Sequence, residues 1–440
     1  MRSWVLRGTH GIRGAIRVPG DKSISHRSLL LGALAEGSTE VRGFLRSEDC
    51  LATLAALRAL GVEITESADG RIVIRGQGPE GLHEPEVALQ AGNSGTTLRL
   101  LAGLLAARPF FSILTGDSSL RCRPMRRVVD PLTAMGATLL GRAGGQYPPL
   151  AIQGRQLSGI AWTSPVASAQ VKSAILLAGI QATGETSVTE PAPSRDHTER
   201  MLAAFGVAVR RQGSTVSVIG PARLRASSVA VPGDLSSAAF FLAAAAADPG
   251  GEVRILDVGV NPTRAGALEV LEAMGATITQ ARARTEASEP LADLSVHGAR
   301  LRGTRIGAEL TARLIDEIPA LAVAGALAEG ETVISGAAEL RVKEVDRLSA
   351  LAGELSKLGA QVAEERDGLR IAGGRRLRGA VVSSRGDHRM AMALAVAALF
   401  ADGETRVQDV ACVETSFPGF AQLLVEVAPE CAIRELEDAD

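Results

Sequence analysis

Hydrophobic and polar positions recur along the chain in one order. An apolar helix closed by glycine is followed by an alternating strand, a loop, an amphipathic helix and a second strand. Residues 32–44 read GALAEGSTEVRGF, and residues 325–337 read GALAEGETVISGA. Looser copies begin near residues 105, 179, 245 and 398. Repetition at intervals of about 70 to 80 residues predicts a chain built from six similar α/β units.

The repeats also predict a division into two halves of three units. The tetrapeptide VPGD occurs at residues 18–21 and again at 231–234, each time before an apolar helix. We therefore expect one lobe to comprise residues 19–232 and the other residues 1–18 with 233–440. The last unit, ending in VEVAPECAI, is degenerate compared with openings such as LTAMGATL and LEAMGATI.

The composition of the chain argues against nucleic acids, membranes and metal ions as partners. The 440 residues carry a net charge of -2, and only 3% are aromatic, so neither a basic surface nor base-stacking side chains indicate a nucleic-acid partner. The longest apolar runs, about ten residues, are too short to cross a bilayer and predict buried helices, so we expect no membrane partner. Four scattered cysteines favour a reducing cytoplasm, and no His/Cys pair has the spacing of metal ligands.

The start of the first helix in each unit is predicted to lie at a fixed place. Counting back sixteen residues from the position that closes the helix leads to Asp21, Asn93, Ser168, Asp234 and Asp387. All five are residue types that cap helices. A helix start offers free backbone N–H groups and partial positive charge, so several starts facing one cleft would bind anions.

Basic and acidic residues gather at these helix starts and in the loops before the second helices. The loop residues are Arg121, Arg123, Arg195, Arg264, Lys343, Glu344 and Arg347. Single residues of this kind are ordinary caps or solvated charges, but their repetition at equivalent positions indicates a site for phosphate or carboxylate groups.

The two VPGD copies differ in their side chains. The first has Lys22, His26 and Arg27 where the second has Leu235, Ala239 and Phe240. We expect the first copy to face ligands and the second to pack.

The ordered motifs PGDKSISHR, GNSGTT, RPM, SAQVKSA, RDHTE, IDEIP, RVKEVDRL, GDHRMAM and TSFPGF, spread over residues 19–420, resemble those of the EPSP synthase family. The SAQ and RDHTE forms resemble its divergent subclass. The resemblance implies the two-lobed enolpyruvyl transferase fold, with six βαβαββ units in two pseudo-threefold domains and the active site in the cleft between them. It further implies a cytoplasmic monomer without metal or cofactor, a transferase of the shikimate pathway and a target of glyphosate.

The resemblance implies two substrates, shikimate 3-phosphate and phosphoenolpyruvate. Residues assigned to shikimate 3-phosphate are Lys22, Ser23, Arg27, Ser168, Ala169, Gln170, Arg195, Asp316 and Lys343. Residues assigned to phosphoenolpyruvate are Lys22, Gly95, Arg123, Gln170, Arg347 and Arg389.

The reaction implied by the resemblance requires two acid–base groups and stabilisation of the charge that develops on the intermediate. The 5-hydroxyl of shikimate 3-phosphate must lose a proton, and the methylene of phosphoenolpyruvate must gain one and later release one. Asp316 is the candidate base, Glu344 the candidate acid and base at the methylene, and Lys22 the third catalytic residue.

Three departures and two alternatives accompany this interpretation. Glu414 and Glu339 stand where many members have lysine and asparagine, and Gly95, the small residue linked with glyphosate binding, leaves glyphosate sensitivity open. A UDP-N-acetylglucosamine enolpyruvyl transferase would carry its cysteine several residues before the Arg-Pro pair, whereas Cys122 directly precedes Arg123. A non-catalytic phosphate-binding repeat protein would lack Asp316 or Glu344, and both are present.

Overall fold

The computed structural model describes residues 2–8 and 11–437. The chain divides into two compact units. Unit I comprises residues 20–231 and 285–289, and unit II comprises residues 1–19, 232–284 and 290–440. Each unit has its own apolar core. The chain therefore passes between the units near residues 19 and 231, and twice more around the short segment 285–289, which the sequence pattern did not single out.

Unit I alternates helices and strands. Its helices are Lys22–Leu34, Glu48–Ala59, Gly95–Leu105, Arg126–Ala134, Arg142–Gly145, Ala169–Gly179 and His197–Ala204, with 3-10 turns at Pro79–Gly81 and Leu120–Cys122. Its strands are Ala35–Arg42, Glu63–Glu66, Ile72–Gln77, Leu89–Gln90, Phe111–Thr115, Thr138–Gly141, Tyr147–Gln153, Ala161–Thr163, Gly184–Thr189, Val209–Gln212, Thr215–Gly220, Leu224–Arg225 and Ser228–Ala230.

Unit II follows the same order of elements. Its helices are Leu235–Ala247, Gly266–Ala273, Ala308–Leu314, Ile318–Leu327, Arg347–Lys357, His388–Leu399 and Phe420–Val427, with 3-10 turns at Ala338–Val342 and Val410–Thr415. The remaining strands are Arg2–Arg7, Arg13–Ile16, Glu252–Gly259, Thr277–Glu286, Glu289–His297, Arg305–Ile306, Glu331–Ile334, Gln361–Glu365, Gly368–Ala372, Leu377–Arg378, Val381–Ser383, Ala401–Asp402, Glu404–Gln408 and Ile433–Glu437. Among the described residues, no helix is both long and apolar enough to cross a membrane.

Six of the sheets formed by the described residues share one plan, which confirms the predicted repeat. In the third of them along the chain, Ala161–Thr163 lies parallel to Gly184–Thr189, with Ala161 opposite Ser187. The latter strand is antiparallel to Thr215–Gly220, which in turn pairs with Val209–Gln212. A parallel strand pair requires a crossover, and in this repeat helix Ala169–Gly179 supplies it.

Strands distant in sequence complete the repeats at the ends of each unit. Ser228–Ala230 lies parallel to Ala35–Arg42, and Arg13–Ile16 lies parallel to Glu252–Gly259. The degenerate sixth repeat is completed by Arg2–Arg7, which pairs with both Glu404–Gln408 and Ile433–Glu437. The strand that would lie between these two comes from the beginning of the chain and not from the last repeat itself. The sequence pattern of the last repeat is therefore incomplete.

The first helix of each repeat lies inside its unit rather than on the surface. All residues of Leu235–Ala247 except Ala247 are buried, as the apolar run predicted. Close packing explains the abundance of small residues. A Cβ atom on Gly103 would lie 2.2 Å from the Ala174 carbonyl oxygen, so glycine allows two helices to approach there.

The predicted helix starts are confirmed for four residues and corrected for one. The side chains of Asp21, Ser168, Asp234 and Asp387 each accept a backbone N–H of the helix that they precede. In the second repeat the cap is Ser94, one residue after the predicted Asn93. The fifth repeat breaks this rule, because a separate short helix ends at Leu314 and the next helix begins at Ile318. Pro319 favours that second start, since proline fits the first turn of a helix.

Candidate active site

The predicted residues of unit I lie at or near the helix starts of its three repeats and are here called cluster A. The cluster consists of Lys22, Ser23, Arg27, Gly95, Arg123, Ser168, Ala169, Gln170 and Arg195. The contacts described below connect several of these residues through neighbouring side chains.

Arg27 is the buried centre of cluster A. Its Nε donates to Thr198 Oγ1 at 2.6 Å, and its Nη2 donates to Ser173 Oγ at 2.6 Å. Its Nη1 donates to the Ser23 carbonyl oxygen at 2.9 Å. Burial lowers the pKa of the Arg27 guanidinium to about 10, with Glu199 and Asp21 opposing the shift and the charge of Arg195 adding to it. The guanidinium therefore stays charged at neutral pH, and its hydrogen bonds go to neutral oxygens.

Lys22 begins the first helix and lies 3.1 Å from the Asp49 carboxylate. Asp49 also accepts, through its backbone oxygen, a hydrogen bond from Thr97 at 3.2 Å. Because Thr97 lies in the helix that begins at Gly95, this contact links two helix starts of cluster A. The sequence did not single out Asp49 as a neighbour of Lys22.

The start of helix Gly95–Leu105 connects the remaining residues. Gln170 Nε2 donates to Thr96 Oγ1 at 2.9 Å, and its Oε1 accepts from Arg99 Nη1 at 2.5 Å. Arg123 donates to Asn93 Oδ1 at 2.5 Å. A Cβ atom on Gly95 would lie 2.9 Å from Arg99 Nη1, so glycine leaves room there for the two arginines.

The predicted residues of unit II form a second group, here called cluster B, which consists of Asp316, Lys343, Glu344, Arg347 and Arg389. Lys343 Nζ lies 3.1 Å from Asp316 Oδ1, and Arg389 donates to the Asp316 carbonyl oxygen at 2.9 Å. Arg347 contacts Glu344 at 2.6 Å. All five predicted residues of this unit therefore lie together.

Arg347 is held by carboxylates on three sides. Its side chain is only 1% exposed, and its Nε donates to Asp387 Oδ2 at 2.7 Å while its Nη1 lies 3.4 Å from Asp316 Oδ1. Burial lowers the pKa of Arg347, but the charges of Asp387, Glu344 and Asp316 outweigh that effect and raise the pKa above its ordinary value. Asp387 also caps the helix that carries Arg389, so one carboxylate orients both arginines.

Comparison with known proteins identifies the family of this chain. The family model described as EPSP synthase (3-phosphoshikimate 1-carboxyvinyltransferase) matches residues 6–424. The chain belongs to the EPSP synthase family.

Individual members of the EPSP synthase family are similar over nearly their whole length. The 3-phosphoshikimate 1-carboxyvinyltransferase of Pelotomaculum thermopropionicum is 56% identical over 95% of this chain and 97% of its own. That of Desulforudis audaxviator is 57% identical over 94% and 96%. The solved EPSP synthase of Acinetobacter baumannii has a TM-score of 0.88 at 45% identity, covering 99% of this chain and 100% of its own.

Glu414 and Glu339, which stand where many family members have lysine and asparagine, lie in turns of unit II near cluster B. Glu414 lies in the turn Val410–Thr415, and Thr415 Oγ1 lies 3.5 Å from Nδ1 of His388, the neighbour of Arg389. Glu339 lies in the turn that leads to Lys343. Groups of three or more potential metal ligands do not occur in the described part of the chain.

Several polar residues that contact cluster A were not singled out from the sequence. Ser173 and Thr198 lie inside the motifs SAQVKSA and RDHTE, and both accept from Arg27. Arg99 lies in an otherwise apolar helix, where a buried charge is costly unless it has a partner. That mismatch was the available signal for Arg99, since its partner Gln170 lies 71 residues away.

Proposed function

We propose that clusters A and B act on the same two substrates, shikimate 3-phosphate and phosphoenolpyruvate, and exchange them for 5-enolpyruvylshikimate 3-phosphate and phosphate. As a member of the EPSP synthase family, the chain is a 3-phosphoshikimate 1-carboxyvinyltransferase. One observation supports this assignment of residues. In each unit the predicted arginines and lysines lie at or near the helix starts of the cluster. Two anionic substrates require such a concentration of guanidinium and ammonium groups.

Cluster A supplies the phosphate-binding part of the proposal. Arg27, Ser168 and Arg195 bind the phosphate of shikimate 3-phosphate, and Ser23 and Ala169 contribute at the two helix starts. The N–H groups of Arg27 donate to neutral oxygens rather than to a carboxylate, which supports a role for its positive charge in binding phosphate. Lys22 and Gln170 contact both substrates, while Gly95 and Arg123 bind phosphoenolpyruvate.

Cluster B supplies the acid–base part. The oxygen of the 5-hydroxyl forms a bond to C2 of phosphoenolpyruvate while Asp316 takes the hydroxyl proton. Glu344 gives a proton to C3 in the same step. Glu344 then takes a proton back from C3 as the bond from C2 to the phosphate oxygen breaks and phosphate leaves. Lys343 orients the shikimate hydroxyls and Asp316, while Arg347 and Arg389, with Lys22, stabilise the developing negative charge.

Phosphate release tests this proposal directly. We expect release from phosphoenolpyruvate only when shikimate 3-phosphate is present. The control replaces shikimate 3-phosphate by UDP-N-acetylglucosamine, which should give no release. Release with the nucleotide sugar but not with shikimate 3-phosphate would overturn the proposal.

The acid–base assignment has its own test in Glu344→Gln. We expect kcat to fall by about 10²-fold or more, the scale of a lost general acid and base. Binding of shikimate 3-phosphate should persist, because glutamine can still accept the hydrogen bond from Arg347. Glu365→Gln is the matched control, since Glu365 pairs with Arg370 at 3.1 Å on a strand of the same unit. A kcat for Glu344→Gln equal to that of the control would show that Glu344 does not serve the methylene carbon.

We also propose that the enzyme is a monomer in the cytoplasm. One chain carries every residue assigned to both substrates, and its four cysteines are free thiols, which suit a reducing compartment. Sedimentation equilibrium at assay concentrations should give a mass near the 45.5 kDa of one chain. A dimer mass would contradict the first part of this proposal, and recovery of the chain outside the cytoplasm after cell fractionation would contradict the second.

A further inference from the structure

Lys172 is a buried lysine in the first turn of helix Ala169–Gly179. Its side chain is 3% exposed and lies between two carboxylates, 2.9 Å from Glu190 Oε2 and 2.8 Å from Glu199 Oε1. Within the described residues, Lys172 is the ion-pair partner of Glu199, whose carboxylate accepts no hydrogen bond there. Burying an ammonium group is costly, and a methionine of similar length would avoid that cost. Packing alone therefore does not account for this lysine.

Glu190, the first partner of Lys172, contacts two segments that flank the proposed phosphate site. Its Oε1 accepts from the Ser168 backbone N–H at 2.9 Å, and its Oε2 accepts from Ser194 Oγ at 2.8 Å. Lys172 itself donates to the Ser194 carbonyl oxygen at 3.4 Å. Ser194 directly precedes Arg195, so Lys172 and Glu190 hold the backbone at Ser168 and immediately before Arg195.

Glu199, the second partner, influences Arg27 electrostatically. Burial lowers the pKa of Arg27, and the charge of Glu199 is the largest of the effects that oppose this shift. Thr198, the residue before Glu199, accepts the hydrogen bond from Arg27 Nε. A displaced Glu199 would therefore disturb both the position and the charge balance of Arg27.

We propose that Lys172 is a positioning residue for binding of the shikimate 3-phosphate phosphate group. It fixes Glu190 and Glu199, and through them the Ser168 N–H, the Ser194–Arg195 backbone and the Thr198 contact with Arg27. Lys172 makes no contact with substrate in this account. The inference rests on the proposed function, because Ser168, Arg195 and Arg27 are assigned to the phosphate there.

The test is Lys172→Met, with titration of shikimate 3-phosphate in the absence of phosphoenolpyruvate and steady-state kinetics for both substrates. We expect the Kd and KM of shikimate 3-phosphate to rise about 10- to 100-fold, the scale found for groups that orient the direct ligands of a site. The KM of phosphoenolpyruvate and kcat at saturating shikimate 3-phosphate should match those of the wild type. A merely structural lysine would lower the active fraction, and hence kcat, without this selective change in KM.

Lys357→Met is the matched control. Lys357 lies 2.8 Å from Glu354 in unit II, so the variant breaks one lysine–glutamate pair that contacts no residue assigned to the phosphate. We expect its Kd for shikimate 3-phosphate to equal that of the wild type.

A double variant guards against failure to fold. Lys172→Met leaves two buried carboxylates without their cation, whereas Lys172→Met with Glu199→Gln keeps the original net charge of the three groups. The double variant still lacks the contacts of Lys172 with Glu190 and Ser194, so we expect the same selective rise in Kd.

The outcomes separate the two proposals. If the wild type binds shikimate 3-phosphate and the folded double variant binds it equally well, the role of Lys172 is refuted while the proposed function stands. If the wild type itself fails to bind shikimate 3-phosphate, the proposed function fails, and the inference on Lys172 fails with it.

Discussion

The helices that follow the two VPGD copies begin in the same way and differ in what surrounds their first turn. Asp21 accepts from the Ile24 N–H at 2.9 Å, and Asp234 accepts from the Ser236 N–H at 2.8 Å. Both helices are almost wholly buried. The shared backbone requirement explains the repeated tetrapeptide, and the different side chains must serve something else.

An arginine lies near each of these two helix starts, and its partners show the difference. Arg27 donates to the neutral oxygens of Thr198, Ser173 and Ser23. Arg264 donates to the carboxylate of Asp234 at 2.9 Å and lies 3.9 Å from that of Glu317. Arg264 therefore contacts a carboxylate directly, whereas Arg27 hydrogen-bonds to neutral oxygens and the carboxylates of Glu199 and Asp21 act on it only through their charge.

This comparison confirms the sequence expectation for the second helix start and adds two polar contacts to it. Leu235, Ala239 and Phe240 are buried, as predicted for the packing copy. The second helix start is nevertheless not purely apolar, because Ser236 donates to Glu317 and accepts from Arg264 at 2.5 Å. The pattern of basic loop residues placed Arg264 among the candidate anion-binding residues, and in the structure its guanidinium pairs with the buried carboxylate of Asp234.

Lys22→Met gives the first helix start an apolar residue like Leu235 of the second. Of the variants considered, it should have the largest effect on activity. Charge-assisted hydrogen bonds to both substrates and to the transition state disappear, so kcat/KM should fall by about 10³-fold or more. Stability should change little, because Asp49, the partner left behind, lies in the first turn of a helix, where negative charge is favoured. Initial rates and thermal melts measure both quantities. A variant that keeps its rate but loses its fold would reverse the assignment of Lys22.

The next effect concerns the two arginines. Arg264→Met leaves buried carboxylates unpaired and should lower the free energy of unfolding by about 3–5 kcal/mol, with unchanged Kd for shikimate 3-phosphate in the folded enzyme. Arg27→Met leaves Ser173 and Thr198, whose hydroxyls lie 2.6 Å apart and can pair with each other. It should therefore weaken ligand binding more than stability. Denaturant titration measures the loss of stability, and titration with shikimate 3-phosphate measures the loss of binding. If both variants lost stability and binding in the same proportion, the two arginines would not differ in role.

The smallest effect concerns His26, whose counterpart in the second copy is Ala239. Its Nδ1 lies 2.7 Å from Thr53 Oγ1, and burial, assisted by the charges of Lys22 and Arg27, lowers its pKa well below 6.5. Below pH 6.5 the unfolded chain therefore takes up a proton that the folded chain does not. The corresponding stability is complete above that pH and is lost as the pH falls, at about 1.4 kcal/mol per pH unit for one proton.

His26→Asn should flatten this dependence between pH 6.5 and the lower pKa of the folded state. Unfolding free energies measured across that range check it, and His297→Asn, at an exposed histidine, is the control. Equal pH slopes for wild type and His26→Asn would contradict a neutral buried His26.

Local signals predicted much of the fold. Apolar runs, closing glycines and capping residues are short-range features, and they located the starts of the helices that follow Asp21, Ser168, Asp234 and Asp387. The break before Ile318 escaped because counting back sixteen residues from Gly330 leads to Leu314, which ends the preceding short helix. The completion of the sixth repeat by Arg2–Arg7 also escaped, since strand pairing over about 400 residues leaves no local trace.

The candidate site was predicted less completely for the same reason. Motif resemblance located the residues of clusters A and B, but their partners depend on contacts between distant segments. Asp49 beside Lys22 and Glu190 beside Lys172 are examples, separated by 27 and 18 positions. Arg264 is a further example, because its pairing with Asp234, 30 positions earlier, could not be read from its place in the loop.

The difference between the two helix starts is tested most directly by the stabilisation that shikimate 3-phosphate gives to three proteins in thermal melts. At 100 times its Kd, a ligand that binds only the folded state adds about 2.7 kcal/mol. Lys22→Met should melt near the wild type without ligand and lose most of the shift at that same concentration. Leu235→Lys, which buries a charge in the packing copy, should melt lower without ligand and keep the full shift. If Lys22→Met keeps the shift while Leu235→Lys loses it, the assignment of one helix start to ligand and the other to packing is contradicted.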